Sequence, residues 1–225
     1  MKRYIAPLLI GLLGAAILLW LGTWQISRLD WKRGILDDIE TTIASDPKPL
    51  PRLIDPDAQR YQPVALRGEI GDEALAVLVS VKQRGAGWRL ISAFQTDDGR
   101  RVLLDRGFAP VDQKDAPLYA GPAEVTGNLH WPDDRNSSTP DNDPAGNTWF
   151  ARDLAPMAEV LDTEPLLVVA RQMSPADKGV TPLPVDTSGI PNDHLQYAIT
   201  WYSLAAVWLI MTGAWIWRLR TGREA

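Results

Sequence analysis

The 225-residue chain contains no cysteine and only two histidines, His130 and His194. Without cysteine it forms no disulfide, and it lacks the thiolates on which copper chaperones and dithiol redox carriers depend. Also missing are a Gly-x-Ser-x-Gly nucleophile elbow, a phosphate-binding loop and a His-Glu-x-x-His zinc motif. Carboxylates such as Glu69, Asp72, Glu73, Asp97 and Asp98 fall in turn-like stretches and read as solvated. This inventory gives no positive signal for catalysis, and a non-enzymatic role is expected. Positive charge is short as well: 23 Lys and Arg stand against 28 Asp and Glu, a formal net charge of -5. Such a balance argues against a nucleic-acid partner.

Hydrophobic residues make up 45% of the chain, yet its mean hydropathy is only -0.14, so the apolar residues must be concentrated in runs. Two runs are free of charge, Tyr4 to Ser27 and Leu195 to Trp217. The second has 23 residues; at about 1.5 Å each it reaches roughly 34 Å, more than the ~30 Å core of a bilayer. The first opens Met-Lys-Arg and passes through Gly14-Ala15-Ala16 like a signal peptide, but it continues apolar through Leu21. That length reads as an uncleaved anchor in membrane lipid. Lys2 and Arg3 before the first run, and Arg218, Arg220 and Arg223 after the second, place both termini in the cytoplasm or the matrix, against the opposing vote of Arg28, Lys32 and Arg33.

The expected organisation is therefore a cytoplasmic N-terminus (1–3), transmembrane helix 1 (4–27), a helix extension and proline-rich linker (28–60), a periplasmic or intermembrane-space β domain (61–190), a helix entrance with transmembrane helix 2 (191–217), and a cytoplasmic C-terminus (218–225). With the five basic flanking residues and Glu224 set aside, 18 of the 23 basic and 27 of the 28 acidic residues remain in between, a net charge of about -9.

Within the middle segment the pattern changes to a period of two. Val64, Leu66 and Gly68 alternate with polar residues, and Leu75 to Val81 reads as a more buried strand. Trp88 to Gln95 follows, with Asp97-Asp98-Gly99-Arg100 turning the chain into Arg101 to Asp105. Glu124 to Trp131 is a further strand, on which His130 lies opposite Val125, Gly127, Leu129 and Trp131 and reads as a surface or half-buried strand histidine. Pro132 to Asn147 is a polar loop suited to mobility or partner contact. A short strand at Trp149 to Arg152, a helix at Asp153 to Leu161 capped by Asp153, and a last strand at Pro165 to Ala170 complete the reading. The fold class is an α+β membrane protein: two transmembrane helices flanking an extramembrane antiparallel β domain, a small barrel or curled sheet with short helices.

Both apolar runs carry aromatic stripes. Trp20, Trp24, Arg28 and Trp31 recur at spacings of 4, 4 and 3, and His194, Tyr197, Trp201, Ala205 and Trp208 at 3, 4, 4 and 3. One reading is an interfacial aromatic belt plus helix packing, in which Gly11, Gly14 and Ala15 approach Ala205, Ala206, Gly213 and Ala214 and His194 helps to cap the second helix with Asn192 or Asp193. The other is a planar-cofactor site: His194 as axial ligand to a haem iron, tryptophans along the ring, and Arg28 for a carboxylate.

Three stretches carry a family resemblance. Leu21-Gly22-Thr23-Trp24-Gln25 with Arg28-Leu29 and Trp31-Lys32, then Leu104-Asp105-Arg106-Gly107-Phe108-Ala109-Pro110, then Asn192-Asp193-His194-Leu195-Gln196-Tyr197-Ala198-Ile199-Thr200-Trp201-Tyr202, resemble the signatures of the Surfeit locus protein 1 family in order, two-anchor layout and overall length. The resemblance implies an assembly factor for haem-copper cytochrome c oxidase in a bacterial inner membrane, or the mitochondrial inner membrane in a eukaryote. It implies binding of haem a received from haem a synthase and assistance in placing it in the catalytic subunit of the oxidase. His194 would ligate the iron, Trp24, Tyr197 and Trp201 would line the ring, and Arg28 would pair with a propionate. The competing expectation is a scaffold that steadies the oxidase large subunit without touching haem, through the acidic domain and the Pro132 to Asn147 loop; a membrane-anchored enzyme is a third class.

Overall fold

The computed structural model describes residues 2–82 and 84–222. The outermost parts of the expected tails, residue 1 and residues 223–225 with Arg223, lie outside the described residues. The chain runs through α1 (Lys2–Ala44), β1 (Lys48–Pro49), α2 (Pro56–Gln59), β2 (Pro63–Val81), β3 (Gly85–Thr96), β4 (Arg101–Pro110), a 3-10 turn (Val111–Gln113), β5 (Gly121–His130), α3 (Leu154–Leu161), β6 (Glu164–Ser174) and α4 (His194–Thr221). Its contacts divide into two units, Met1–Asp38 with Thr187–Ala225, and Ile39–Asp186.

The first unit is a helix pair. Both α1 and α4 are long and apolar enough to cross a membrane. Their outward side chains are large and apolar: Leu9, Leu12 and Leu13 on α1, and Ile210 and Met211 on α4, are each more than half exposed. A soluble helix would turn such residues to a core and keep a polar face outside. This is a membrane-associated helix pair, and Pro7 inside α1 is compatible with that setting.

The second unit is a six-stranded sheet of order β1-β2-β3-β4-β6-β5, curled so that β5 also pairs with β2. The curl comes from β2, whose 19 residues change register between Ile70 and Ala74, around Gly71-Asp72-Glu73. Its first half meets β5 and its second half continues along β3. Sequence patterning read these halves as two strands. Most pairings are antiparallel as expected; β1–β2 and β4–β6 are parallel.

Both faces of the central strands are covered. On β4 and β6, Val102, Leu104, Leu166, Val168 and Ala170 enter one apolar cluster with Phe94 and Leu129, while Leu103, Leu167 and Val169 enter another with Trp149 and with Met157 and Leu161 of α3. Two-sided burial explains why these strands are continuous apolar runs rather than alternating ones. The last turn of α1 belongs to this unit. There the Ile43 carbonyl, an acceptor left over at the helix end, is taken by Asn128 Nδ2 at 3.2 Å and Arg171 Nη1 at 3.0 Å.

The polar loop after β5 is pinned rather than loose. Asn147 acts as a strand fragment: its Oδ1 accepts from Ala76 N and its Nδ2 donates to the Ala74 carbonyl, closing the open edge of β2. Asn142 Oδ1 accepts from the backbone of Phe150 and Ala151. With those donors used, Trp149 to Arg152 forms no strand; a single bridge joins Trp149 to Val77. Asp153 does hold the N-cap position of α3, but its side chain makes no capping bond; its Oδ2 instead accepts from Arg135 Nη2 (2.6 Å) and Asn142 Nδ2 (2.7 Å).

Candidate functional site

The turn Pro191-Asn192-Asp193 ends where α4 begins, so His194 is the first helical residue. Asp193 holds the N-cap position, and its carbonyl accepts from Tyr197 N at 3.1 Å while its side chain makes no capping bond. The capping alternative for His194 is thereby excluded, because its ring is engaged elsewhere. Nδ1 lies 2.8 Å from Oε1 of Gln25 on α1. An amide oxygen only accepts, so Nδ1 carries a proton, and Nε2 is the nitrogen whose lone pair a metal would use. Two residues upstream, Asn192 Oδ1 is a buried acceptor without a partner.

What aligns Gln25 with His194 is the packing of the two helices. Gly11, Ala15, Gly22 and Gln25 are buried along α1, and His194, Ala198, Ala205, Trp208 and Thr212 form the facing row on α4. A Cβ on Gly14 would lie 2.4 Å from the Trp208 indole, and one on Gly22 would lie 2.7 Å from the Tyr202 ring. Glycine is needed at both places for backbone to meet aromatic ring. Trp208 Nε1 donates to the Gly11 carbonyl at 3.0 Å, and Thr23 Oγ1 shares a hydrogen bond of 3.2 Å with the Tyr202 hydroxyl. These contacts fix an antiparallel register that brings Gln25 to the start of α4. The small residues of α1 do mediate the approach, as the sequence suggests. Of the partners expected on α4, Ala205 is buried, whereas Ala206 and Ala214 are exposed and a Cβ on Gly213 would meet nothing within 4 Å; the glycines of α1 meet Thr212, Trp208 and Tyr202 instead.

The other expected site residues are distributed around this pair. Trp24 and Tyr197 are 50% and 55% exposed on the outward surface, and Trp201 is half-buried. The Arg28 guanidinium stacks on the Trp31 ring, 3.8 Å from its centroid. Trp20, Trp24 and Trp31 thus share a face that the helix pairing leaves open. Gln25 is the functional candidate that pattern reading passed over. The signal was present, as an amide in an otherwise apolar run, one position beyond the tryptophan stripe and three from Gly22.

A neutral imidazole with its lone pair on Nε2 is a ligand for a borderline metal such as iron. Among the described residues, no group of three or more His, Asp or Glu side chains converges as a metal cage. A metal held at His194 would therefore have to bring most of its own ligands.

The Asp105-Arg106-Gly107 stretch serves the β unit. Asp105 is fully buried, with Arg89 Nε at 3.2 Å and Arg152 Nη1 at 3.8 Å. Burial pushes its carboxyl above the usual range, against the pull of the two guanidiniums. Arg106, also fully buried, forks onto Asp177 and donates to Ser92 Oγ and the Tyr119 carbonyl. Gly107 has φ +119, and a Cβ there would fall 2.2 Å from the Thr181 carbonyl oxygen. His130 stacks on Tyr61 with ring centroids 5.7 Å apart, and burial pushes its pKa down to about 4. It is a neutral, structural histidine, as the strand pattern implied.

Two membrane-length helices, a curled sheet formed by the segment between them, and an oriented histidine at the start of the second helix define a membrane-associated protein with one ligand-competent imidazole. The chain belongs to the SURF1 family, whose model matches residues 12–206. It is 31% identical to Surfeit locus protein 1 of Xenopus tropicalis over 83% of this chain and 68% of that protein. Identity to Surfeit locus protein 1 is 30% for Homo sapiens, over 83% and 69%, and 32% for Takifugu rubripes, over 83% and 87%.

Proposed function

We propose that this protein is a non-enzymatic assembly factor for haem-copper cytochrome c oxidase that binds haem a through His194 and assists its insertion into the catalytic subunit. Membership of the SURF1 family supports the assembly role. The observation that carries the haem reading is the Nδ1–Gln25 bond, which engages one ring nitrogen and leaves Nε2 as the nitrogen for a metal at the start of an apolar helix. Haem a would supply the iron; His194 would hold it, the exposed Trp24 and Tyr197 and the half-buried Trp201 would offer aromatic contacts to the ring, and Arg28, now stacked on Trp31, would pair with a propionate. A single ligand on an open surface suits release better than retention. Haem a synthase is the donor and the oxidase large subunit the recipient. The setting is a bacterial inner membrane with the β unit periplasmic and both termini cytoplasmic, or the mitochondrial inner membrane.

The scaffold reading keeps one specific support: the loop at 132–147 is pinned by Asn142 and Asn147, and it presents exposed Asp133 and the Arg135–Asp141 pair, 3.6 Å apart, as a fixed polar surface. The two readings separate in an absorption spectrum of protein purified after co-expression with haem a synthesis enzymes. Wild type and His130→Ala are expected to show a haem a band, and His194→Ala to lose it. A colourless wild type would overturn haem binding and turn the search to the oxidase subunit as a direct partner.

A further inference from the structure

We propose that Gln25 is the positioning residue of His194, selecting its tautomer and holding the ligand at moderate strength. The inference rests on His194 being the haem ligand. A free imidazole exchanges its single proton between two nitrogens, and only the deprotonated nitrogen coordinates a metal. The Gln25 oxygen, 2.8 Å from Nδ1, accepts that proton's hydrogen bond and so assigns Nε2 to the metal. Gln25 is itself only 9% exposed. Its position along α1 is set by the Gly22–Tyr202 and Gly14–Trp208 contacts, so the helix packing orients the imidazole.

The choice of an amide has a second consequence. Partners of ligating histidines are often carboxylates, which draw the Nδ1 proton and raise the donor strength of the opposite nitrogen. A neutral amide oxygen fixes the same tautomer with a weaker pull, and it places no charge inside an apolar helix pair. The resulting ligand is oriented yet exchangeable, which is what handing on a cofactor requires. Gln25 lies in one signature stretch and His194 in another, so this bond gives the two stretches a common purpose.

The test uses the full-length protein in nanodiscs with ¹⁵N-histidine labelling. Only two histidines contribute signals, and His130→Gln assigns them. Nitrogen shifts are read at a pH well above the ordinary histidine range, where the rings are neutral. The expected result is an Nδ1-protonated His194 in wild type and in Gln25→Glu, with loss of that single tautomer in Gln25→Leu. In the haem arm, Gln25→Leu should weaken haem a binding by about 10–100-fold, and Gln25→Glu should retain it with a lower reduction midpoint. An Nε2-protonated His194 in the wild type, or a Gln25→Leu protein with unchanged tautomer and affinity, overturns the role of Gln25. An Nδ1-protonated His194 in a protein that takes up no haem a instead overturns the ligand reading on which it rests. The wild-type measurement needs no variant to fold.

Discussion

Asp105, Arg106 and Gly107 are consecutive, yet they answer to three different neighbours: the Arg89–Arg152 pair, Asp177, and the Thr181 carbonyl. A one-residue offset in the β3–β4 ladder makes this possible, since Leu90 pairs with Gly107 and Ile91 with Asp105, leaving Arg106 as the extra residue. The stretch was legible as a signature, but its work was not, because Asp177 lies 71 residues away in the chain. His130 shows the same dependence on surroundings. Its pKa falls to about 4 chiefly through burial, with Arg152, Arg60 and Arg89 adding to the effect and Asp134 opposing it. The folded state therefore resists a proton that the unfolded chain accepts near pH 6.5. Stability from this residue is complete above that value and is lost as pH falls toward 4, by at most about 3 kcal/mol. Urea unfolding followed by tryptophan fluorescence should show this loss across that window, and His130→Gln should remove most of the slope. Equal slopes in the two proteins would refute the assignment.

Elements were read from the sequence most faithfully where one rule acted alone. The two apolar helices, the turn at Asp97 to Arg100 and the existence of α3 all follow from local pattern. Errors arose where a side chain replaced a backbone partner: Asn142 and Asn147 take up the donors and acceptors that would have made Trp149 to Arg152 a strand. The facing surfaces of the helices were half legible. Small residues marked the α1 side, whereas the choice of Trp208, Thr212 and Tyr202 opposite them is a matter of three-dimensional fit. That fit makes a prediction. Leu at position 14 has to displace the Trp208 indole and break its bond to the Gly11 carbonyl, costing the helix pair about 1–3 kcal/mol. Gly14→Leu should accordingly lower the midpoint of detergent-titrated unfolding. Gly213→Leu, at a position with nothing within 4 Å, should not; equal effects would argue against this packing.

For the whole molecule, the absence of cysteine turns the proposed topology into a clean experiment, because any introduced thiol is the only one. Ser138→Cys, in the exposed loop, should react with a membrane-impermeant maleimide in intact cells, while Thr221→Cys at the end of α4 should react only after the membrane is opened. The reverse pattern would invert the orientation read from the basic flanks. The sequence by itself determined that the chain has two membrane-length helices around a β-rich segment, that it carries no thiol chemistry, and that His194 stands at the start of the second helix. Hydropathy, residue inventory and position are properties of the chain and need no neighbours. Only the tertiary structure decided which nitrogen of His194 is free, that Gln25 holds the other, and that Trp24 and Arg28 face outward. Those outcomes depend on contacts between helices 169 residues apart along the chain, and local pattern records which residues are available without recording which of them meet.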